Sequence, residues 1–335
     1  MEKKVILPFE EQPYSLMYQG GAFSMGIIQA NAKEDITPWL SSRYLNCWFS
    51  LAGGRHKFGY YLSESWPVTE GIMLHQYVRL FPSVLEELFC EDFLSFSKQM
   101  MDLGWYPHGL FNEQYIPGKR DYQKEYHVHD FLLIGYDDFE EVCYSVGYLE
   151  DGHFQKFSIP YSNMQQSILT MEDAKPTFNF WKLNKNAIFS LNIEKIILGL
   201  SEYLNSTISD EREKYDRSWG LEAVRNLGKY MMSCCEEQRS VDSRYTRGIM
   251  EHKNYMKMRV EYLLKHEYLS EKRYLELSEQ VLKLSEKIHL LGLKYNITKN
   301  QNIGEHIVNL IEESICTELK YLPSVLSDLK SKEGE

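Results

Sequence analysis

The sequence lacks any apolar run long enough to cross a bilayer, and its first residues lack the apolar core of a secretory signal. It also lacks C-x-x-C spacing; its six cysteines are Cys47, Cys90, Cys143, Cys234, Cys235 and Cys316. The adjacent pair cannot easily bridge to itself within a helix. These absences argue against a disulfide framework and a zinc ribbon, and we expect free thiols in a soluble cytoplasmic protein with no membrane partner.

An excess of positive charge is absent as well. The net charge is −11, and residues 1–180 contain 13 Lys and Arg against 24 Asp and Glu, whereas residues 181–335 contain 24 of each sign. Nucleic-acid binding relies on concentrated Lys and Arg, so the sequence argues against a nucleic-acid partner. An acidic first half accommodates a cationic substrate, such as an amine, better than an anionic one.

Proline is absent between Pro176 and Pro323, and apolar residues recur there at spacings of three and four, the pattern of amphipathic helices. In contrast, 33 of the 46 aromatic residues fall in residues 1–180, where Gly and Pro separate short apolar segments. A chain of 335 residues can form two domains. We predict an α+β protein, with an antiparallel sheet in a first domain (1–180) and an all-α helical bundle in a second (181–335).

Five helices are predicted in the second domain, with apolar stripes over 193–204, 219–231, 250–263, 275–291 and 302–315. Asn192 suits the N-cap of the first helix, and Asn302 with Glu305 suits a capping box for the fifth. The Tyr-rich and Met-rich stripes between Tyr245 and Tyr274 indicate packing within the bundle. The alternative is a docking face for a partner protein or for a homodimer.

The first domain combines predicted helices with a β-meander. Ser83 and Glu86 form a capping-box pattern for a helix that ends at Gly104. A strand at 106–115 and a turn-rich connection lead to a strand that begins near His129. Two further strands at 142–149 and 153–159 complete the meander, and Ser162 suits the N-cap of a short helix.

The histidine strand is the place where the sequence most clearly suggests chemistry. Alternation in a strand places His127 and His129 on one face. His129 is a candidate general acid or base, and the alternative is a histidine that only hydrogen-bonds at a strand end. The pair also matches two metal ligands, but a third ligand has no defining spacing, so we predict neither a metal nor another cofactor. Asp130, Asp137 and Asp138 are interpreted as solvated turn residues.

Several short motifs follow one another in a characteristic order. The first domain has Gly104-Trp-Tyr-Pro, Asn112-Glu-Gln-Tyr-Ile, His129-Asp-Phe-Leu-Leu-Ile-Gly-Tyr-Asp, Asp151-Gly-His-Phe and Ile159-Pro-Tyr-Ser. The second has Glu202-Tyr-Leu-Asn-Ser206, Trp219-Gly-Leu-Glu222, Asp242-Ser-Arg244 and Glu251-His-Lys253. The first set resembles the papain-like domain of the butirosin-type acyltransferases, which are related to bacteriocin-processing cysteine peptidases. The second is similar to companion proteins of nonribosomal peptide and polyketide assembly lines.

The resemblance implies a papain-like first domain with His129 as its catalytic histidine. It also implies a cysteine nucleophile at the start of the first helix and an Asp or Asn on the strand after the histidine strand. Residues 20–28 contain no cysteine, and the strand position reads Val146-Gly147-Tyr148. The sequence therefore departs from the family pattern at two positions of the triad.

Two residues are candidates for the missing nucleophile. Cys47 lies upstream of His129 at a suitable distance, but its segment predicts a strand before the Gly53-Gly54 turn, so a buried and inert thiol is the alternative. Ser24 lies at the right place in the chain, although serine needs a well-oriented base. We retain His129 and Cys47 as the candidate catalytic residues.

Two functional hypotheses follow from the resemblance. The first is an acyltransferase of nonribosomal peptide or polyketide antibiotic biosynthesis, which transfers an acyl group from the thioester of an acyl or peptidyl carrier protein to an amine substrate, with His129 as base. The second is a catalytically inactive papain-like pseudoenzyme that acts as a scaffold or binds the carrier protein in the same pathway. Peptidase activity ranks third, because neither the nucleophile nor the orienting acid occupies its expected position.

Overall fold

The chain forms two compact units in a computed structural model that describes residues 2–50, 57–61, 76–80, 92–171, 178–210 and 216–333. Met1–Lys33 and Glu64–Ile188 make up the first, here called the sheet unit. Glu34–Ser63 and Phe189–Glu335 make up the second, the helical unit. We predicted a single division at residue 180; in the structure an early segment of the chain groups with the later helices.

The protein has the mixed α and β composition that we predicted, with antiparallel sheets. Its strands are β1 (Lys4–Ile6), β2 (Asn46–Ser50), β3 (Lys57–Tyr61), β4 (Gln76–Leu80), β5 (Tyr106–Asn112), β6 (Val128–Asp137), β7 (Val142–Tyr148), β8 (Phe154–Pro160), β9 (Phe178–Lys182) and β10 (Arg217–Trp219). Its helices are α1 (Gln19–Asn31), α2 (Thr37–Ser41), α3 (Phe93–Asp102), α4 (Tyr161–Leu169), α5 (Ile193–Asn205), α6 (Gly220–Glu236), α7 (Ser243–Lys265), α8 (Arg273–Thr298), α9 (Asn302–Glu318) and α10 (Leu322–Glu333).

The sheet unit contains one sheet in the order β4-β9-β5-β6-β7-β8, with β1 also paired to β6. All of these pairings are antiparallel. The predicted meander is confirmed from β5 to β8, except that the strand predicted at 106–115 ends at Asn112 and continues as the 3-10 turn Glu113–Tyr115. Aromatic residues of the first half fill this core, and the rings of Phe111 and Phe131 pack with their centroids 5.1 Å apart and their planes tilted by 36°.

A glycine allows β1 to join the sheet. A Cβ atom on Gly135 of β6 would lie 2.4 Å from the backbone oxygen of Val5. Strand β1 therefore pairs with the end of β6 that follows Leu132, where β5 no longer pairs. Close approach of two backbones is a usual reason for glycine within a strand.

The helix boundaries of the sheet unit follow local signals only in part. Asp92 caps α3 by accepting a hydrogen bond from Ser95 N, whereas the capping box predicted at Ser83 lies outside the described residues. The predicted stop is confirmed, because α3 ends at Asp102 and Gly104 has a φ of +79°. The predicted cap at Ser162 is wrong: α4 begins one residue earlier, after Pro160, without a side-chain cap.

The helical unit confirms the five predicted helices as α5 to α9, but the prediction of an all-α second domain is wrong, because β10 lies within it and pairs with β2. Asn192 caps α5 by accepting a hydrogen bond from Lys195 N at 2.7 Å, as predicted. The capping box predicted for α9 is wrong, because the helix is entered through Gln301 in a helical conformation with no side-chain cap. Among the described residues, no helix combines the length and the apolar character needed to span a membrane.

Tertiary pairing brings the early segment into the helical unit. Strand β2 lies between β10 and β3 in a three-stranded antiparallel sheet, so residues far apart in sequence become neighbours. The buried guanidinium of Arg259 on α7 donates to the backbone oxygens of Ser41 and Arg43, both at 2.6 Å. These contacts explain why a boundary drawn from periodicity alone missed the segment.

The core of the helical unit also contains a buried ion pair. Lys253 Nζ of α7 lies 2.9 Å from both carboxylate oxygens of Glu318 on α9. Tyr203 of α5 accepts a hydrogen bond from Lys253 and donates one of 2.9 Å to Glu318. All three residues are at most 1% exposed, and we call them the sealed cluster.

Candidate functional site

The candidate site lies at the histidine end of β6, where β5 turns away from the sheet. Phe111 of β5 pairs with His129 of β6, and Glu113 N donates to the backbone oxygen of His127 at 2.7 Å. The buried amide of Asn112 accepts hydrogen bonds from His127 N and Gln114 N. The backbone of the site is therefore fixed by bonds between its own segments.

The polar side chains that meet here are called the histidine cluster. Its members are Gln19, Glu113, Lys119, Asp121, His127, His129 and Asp130. The two histidine rings lie 5.9 Å apart, so the prediction that they share one face is confirmed. Both rings are partly open to solvent, with side-chain exposures of 49% for His127 and 40% for His129.

Asp130 orients the ring of His129. Nδ1 of the imidazole lies 2.8 Å from Asp130 Oδ1, which assigns the Nδ1 proton to this hydrogen bond. The bond to Asp130 raises the pKa of His129 against the opposing effect of burial. Burial disfavours the charged form of Asp130, but His129 holds the pKa of this carboxyl below its usual value. Within the described part of the chain, Nε2 of His129 forms no hydrogen bond.

The interpretation of the three aspartates as solvated turn residues is therefore wrong. Asp130 is mostly buried against His129 and Gln19. The buried carboxylate of Asp137 pairs with Lys4 of β1 at 2.8 Å. Asp138 accepts hydrogen bonds from Lys98 and Tyr161. Asp137 and Asp138 each anchor a neighbouring segment, whereas Asp130 orients the ring of His129.

Gln19 occupies the position that the resemblance assigns to a nucleophile, the start of the first helix. Its amide nitrogen donates to the backbone oxygen of Asp130 at 2.7 Å and to Asp130 Oδ1 at 3.1 Å. The same nitrogen lies 3.2 Å from His129 Nδ1. Its amide oxygen accepts from Tyr148 N at 3.0 Å. Gln19 therefore ties α1 to β6 and β7 and fills the space beside the imidazole.

Gly147 occupies the strand where the resemblance places an acid. A Cβ atom at this position would lie 2.8 Å from Gln19 Oε1 and 3.3 Å from Lys119 Nζ. No side chain fits while these two groups hold their positions. The orienting carboxylate comes instead from Asp130, the residue next to the histidine.

Lys119 and Glu113 form a covered pair beside the histidines. Lys119 Nζ donates to the backbone oxygen of Tyr148 at 2.8 Å and lies 3.4 Å from Glu113 Oε1. Burial lowers the pKa of Lys119, and the nearby carboxylate of Glu113 opposes that effect. The ammonium group of Lys119 and the carboxylate of Glu113 therefore balance each other within the cluster.

A second group of acidic contacts surrounds His127. Its Nδ1 lies 2.7 Å from Asp121 Oδ2 and 3.3 Å from Glu113 Oε2. Both carboxylate side chains are largely buried, with exposures of 9% for Glu113 and 11% for Asp121, whereas the imidazole is half exposed. The ligand atoms of these three residues all lie within 4.8 Å of one another.

Cys47 belongs to the helical unit, whereas His129 belongs to the sheet unit. The predicted strand is confirmed, since Cys47 lies on β2, where it is fully buried and its thiol is 3.7 Å from the backbone oxygen of Gly220. Burial raises the pKa of this thiol to about 12. A protonated and covered thiol is not a nucleophile at neutral pH, so the structure favours the inert alternative for Cys47.

Ser24 does not meet the needs of a nucleophile either. It is the sixth residue of α1 rather than the first, and only 6% of it is exposed. Its hydroxyl has no hydrogen-bond partner among the described residues, so no base activates it.

Sequence reasoning missed five members of the site: Gln19, Glu113, Lys119, Asp121 and Asp130. One of them had a usable signal. The turn-rich connection between β5 and β6 implies antiparallel pairing, and that pairing places Glu113 beside His127. The positions of Gln19 and Lys119 depend on packing between distant segments.

Comparison with known proteins does not extend this picture: no protein-family model matches the chain, and no curated protein matches its sequence. The chemistry of the site therefore rests on its geometry. An imidazole whose Nδ1 is held by a carboxylate, and whose Nε2 has no hydrogen-bond partner in the described ranges, can accept a proton from a bound molecule.

Proposed function

We propose that the sheet unit catalyses acyl transfer from a thioester to an amine, with His129 as the general base. The observation that carries this proposal is the state of the ring of His129. Asp130 orients Nδ1 of this partly exposed side chain. Nε2 forms no hydrogen bond with any of the described residues. This arrangement suits proton transfer at the mouth of a site.

The reaction needs no covalent enzyme intermediate. Nε2 of His129 accepts the proton of the attacking amine as its nitrogen bonds to the thioester carbonyl, and the C–S bond then breaks. The imidazolium returns the proton to the leaving thiolate, so an amide and a thiol are the products. Thioester aminolysis is a downhill reaction, and positioning with one base supplies its catalysis. This scheme agrees with glutamine at the start of α1 and with the buried thiol of Cys47.

The substrate class follows from charge and from the resemblance. The excess of carboxylates in residues 1–180 favours a cationic amine as acceptor. The likeness to butirosin-type acyltransferases supports a carrier-protein thioester as donor and a papain-like origin for the sheet unit. We place the activity in nonribosomal peptide or polyketide antibiotic biosynthesis on the same ground.

The test compares wild type with His129→Gln in reactions of acylated carrier proteins, or of small acyl thioesters, with a panel of amines. Amide formation above the uncatalysed rate should fall at least about 100-fold in the variant. His153→Gln is the control, because this ring is 79% exposed and outside the cluster. Amide formation that is equal in wild type and His129→Gln would contradict the proposal, as would its absence with every donor.

A second candidate function is a non-catalytic scaffold that binds the carrier protein. The observation that favours it is the amide of Gln19, which occupies the position of the family nucleophile and hydrogen-bonds to Asp130. Binding of a carrier protein that is equal in wild type and His129→Gln, with no amide product from either, would favour the scaffold.

A further inference from the structure

Three side chains beside His129 converge on one point, and the proposed acyl transfer uses none of them. Glu113 begins the 3-10 turn after β5, Asp121 lies in the following loop, and His127 directly precedes β6. Their ligand atoms lie within 4.8 Å of one another. The sequence pattern instead pointed to His127 and His129 as a pair.

The distances are close to those of a coordination sphere. Four-coordinate zinc with bonds of about 2.0–2.2 Å separates its ligand atoms by about 3.4 Å. Nδ1 of His127 is 3.3 Å from Glu113 Oε2 and 2.7 Å from Asp121 Oδ2. An ion can enter between these atoms only when side-chain rotation opens the 2.7 Å contact, which is a hydrogen-bond distance.

The two oxygens of Glu113 have separate partners, which matters for coordination. Oε1 faces Lys119 at 3.4 Å and His129 at 3.9 Å, whereas Oε2 faces His127. A cation bound at Oε2 therefore leaves the ion pair with Lys119 in place. A hydrogen-bonded partner of this kind on a ligating carboxylate orients it for the metal.

The charges of the cluster also favour a cation. Glu113 and Asp121 are buried carboxylates, and Lys119 faces only the first of them through Oε1. Buried charges in proteins are paired or coordinate metals. Among the described residues, Asp121 forms no ion pair with a lysine or an arginine; its side-chain partner is the imidazole of His127.

The backbone holds the ligands in place before any ion binds. Glu113 N donates to the backbone oxygen of His127, and Asn112 Oδ1 accepts from His127 N. Asn112 is 1% exposed, so this link is inside the protein. Two of the three ligands thus belong to one hydrogen-bonded unit of β5 and β6.

We propose that Glu113, Asp121 and His127 bind one divalent transition-metal ion, with zinc as the first choice. An imidazole with two carboxylates suits Zn²⁺, Co²⁺ or Mn²⁺, whereas Mg²⁺ and Ca²⁺ prefer oxygen ligands alone. The exposed side of His127 leaves a coordination position open to water. This site does not depend on the proposed acyl transfer, and His129 is not one of its ligands.

The test uses the full-length chain without an affinity tag, first treated with a chelator and then dialysed. Calorimetric titration with ZnCl₂ should show one site per chain, and CoCl₂ should produce the visible absorption of a protein-bound ion. Zinc should also raise the midpoint of thermal unfolding, because only the folded chain assembles the three ligands.

Two variants assign the ligands, and two further variants are controls. His127→Ala and Asp121→Asn should each weaken zinc binding at least tenfold, while His129→Ala and His153→Ala should leave it within twofold. Circular dichroism in the presence of chelator checks that each variant is folded. Because the side chain of His127 is half exposed, we expect His127→Ala to fold, and this variant tests the assignment even if Asp121→Asn does not fold.

The following results would overturn the proposal. If the wild-type protein binds neither Zn²⁺ nor Co²⁺ at about one equivalent per chain, the proposed metal site does not exist. If zinc binding is unchanged in His127→Ala, or is lost in His129→Ala as much as in His127→Ala, the three residues that we assign as ligands are not the ligand set. Since His129→Ala abolishes acyl transfer but spares metal binding, failure of one proposal is distinguishable from failure of the other.

Discussion

Among the described residues, each unit of the protein buries a lysine–glutamate pair, and the two pairs have different surroundings. In the helical unit, Lys253 and Glu318 are sealed from solvent and Tyr203 completes their hydrogen bonds. In the sheet unit, Lys119 and Glu113 are covered as well, but the imidazoles of the histidine cluster beside them are partly exposed.

The difference separates a structural role from a functional one. Charges that are balanced and closed to water specify one packing of the helices. In the histidine cluster, carboxylates outnumber the lysine, and both imidazoles are open to solvent. Excess charge and access are what a binding or catalytic site needs and what a structural ion pair avoids.

Breaking the sealed cluster should have the largest effect on stability. Lys253→Met leaves the carboxylate of Glu318 buried without a cation, which should lower the free energy of unfolding by about 3–5 kcal/mol. Urea denaturation followed by circular dichroism measures the loss. The double variant Lys253→Met with Glu318→Leu removes both charges and should recover most of it. A single variant as stable as wild type would show that the cluster is not sealed.

The matched change in the sheet unit should have a smaller effect. Glu113→Gln removes the charge opposite Lys119, but this lysine keeps its hydrogen bond to the backbone oxygen of Tyr148. We expect a loss of about 1–3 kcal/mol in the same denaturation experiment. A loss equal to that of Lys253→Met would remove the contrast between the two pairs.

Acidification should weaken the helical unit through His252. This buried ring donates from Nε2 to the backbone oxygen of Leu45, and burial, aided by the charge of Lys253, holds its pKa well below the usual 6.5. As the pH falls, the unfolded chain binds the proton at His252 before the folded chain does. The contribution of His252 to the free energy of unfolding is therefore complete above about pH 6.5. Below that pH it is lost by at most about 1.4 kcal/mol per pH unit. In His252→Gln, the free energy of unfolding should decline less steeply between pH 6.5 and 5 than in wild type. An equal decline in the two proteins would show that other titratable groups cause the loss of stability.

Thiol labelling should show the smallest effect, which is no reaction at Cys47. Iodoacetamide at pH 8 should label the exposed Cys316 in the native protein and leave Cys47 unmodified, because its thiol is buried and protonated. Peptide mass spectrometry reports both sites, and labelling in urea shows that each can react. Equal native labelling at the two sites would show that β2 opens to solvent.

Sequence periodicity predicted the helices of the second half because each buries a continuous apolar stripe, and the stripe is a local property. Asn192 as a cap was equally local and was confirmed. Asn302 and Ser162 have the same capping propensity, but neither caps its helix: α9 begins at Asn302 with Gln301 already helical, and α4 begins directly after Pro160, before Ser162. Membership of residues 34–63 in the helical unit depends on pairing between β2 and β10, which no local pattern contains.

The sequence predicted the candidate site, like the fold, only where the signal is local. Strand alternation correctly placed His127 and His129 on one face. Alternation also placed Asp130 on the opposite face, yet its carboxylate reaches the ring of its neighbour at the end of the strand. Gln19 arrives from a helix more than 100 residues away in sequence, so only the tertiary structure shows it.

The lack of a side chain at Gly147 makes two distant positions of the chain interdependent. A carboxylate side chain at position 147 fits only if the residue at position 19 becomes smaller, and a smaller residue there leaves a gap that glycine cannot fill. A single substitution at either position would therefore introduce a clash or a hole. Sterically, the two positions act as one unit, and a change in this contact requires simultaneous substitution at both ends.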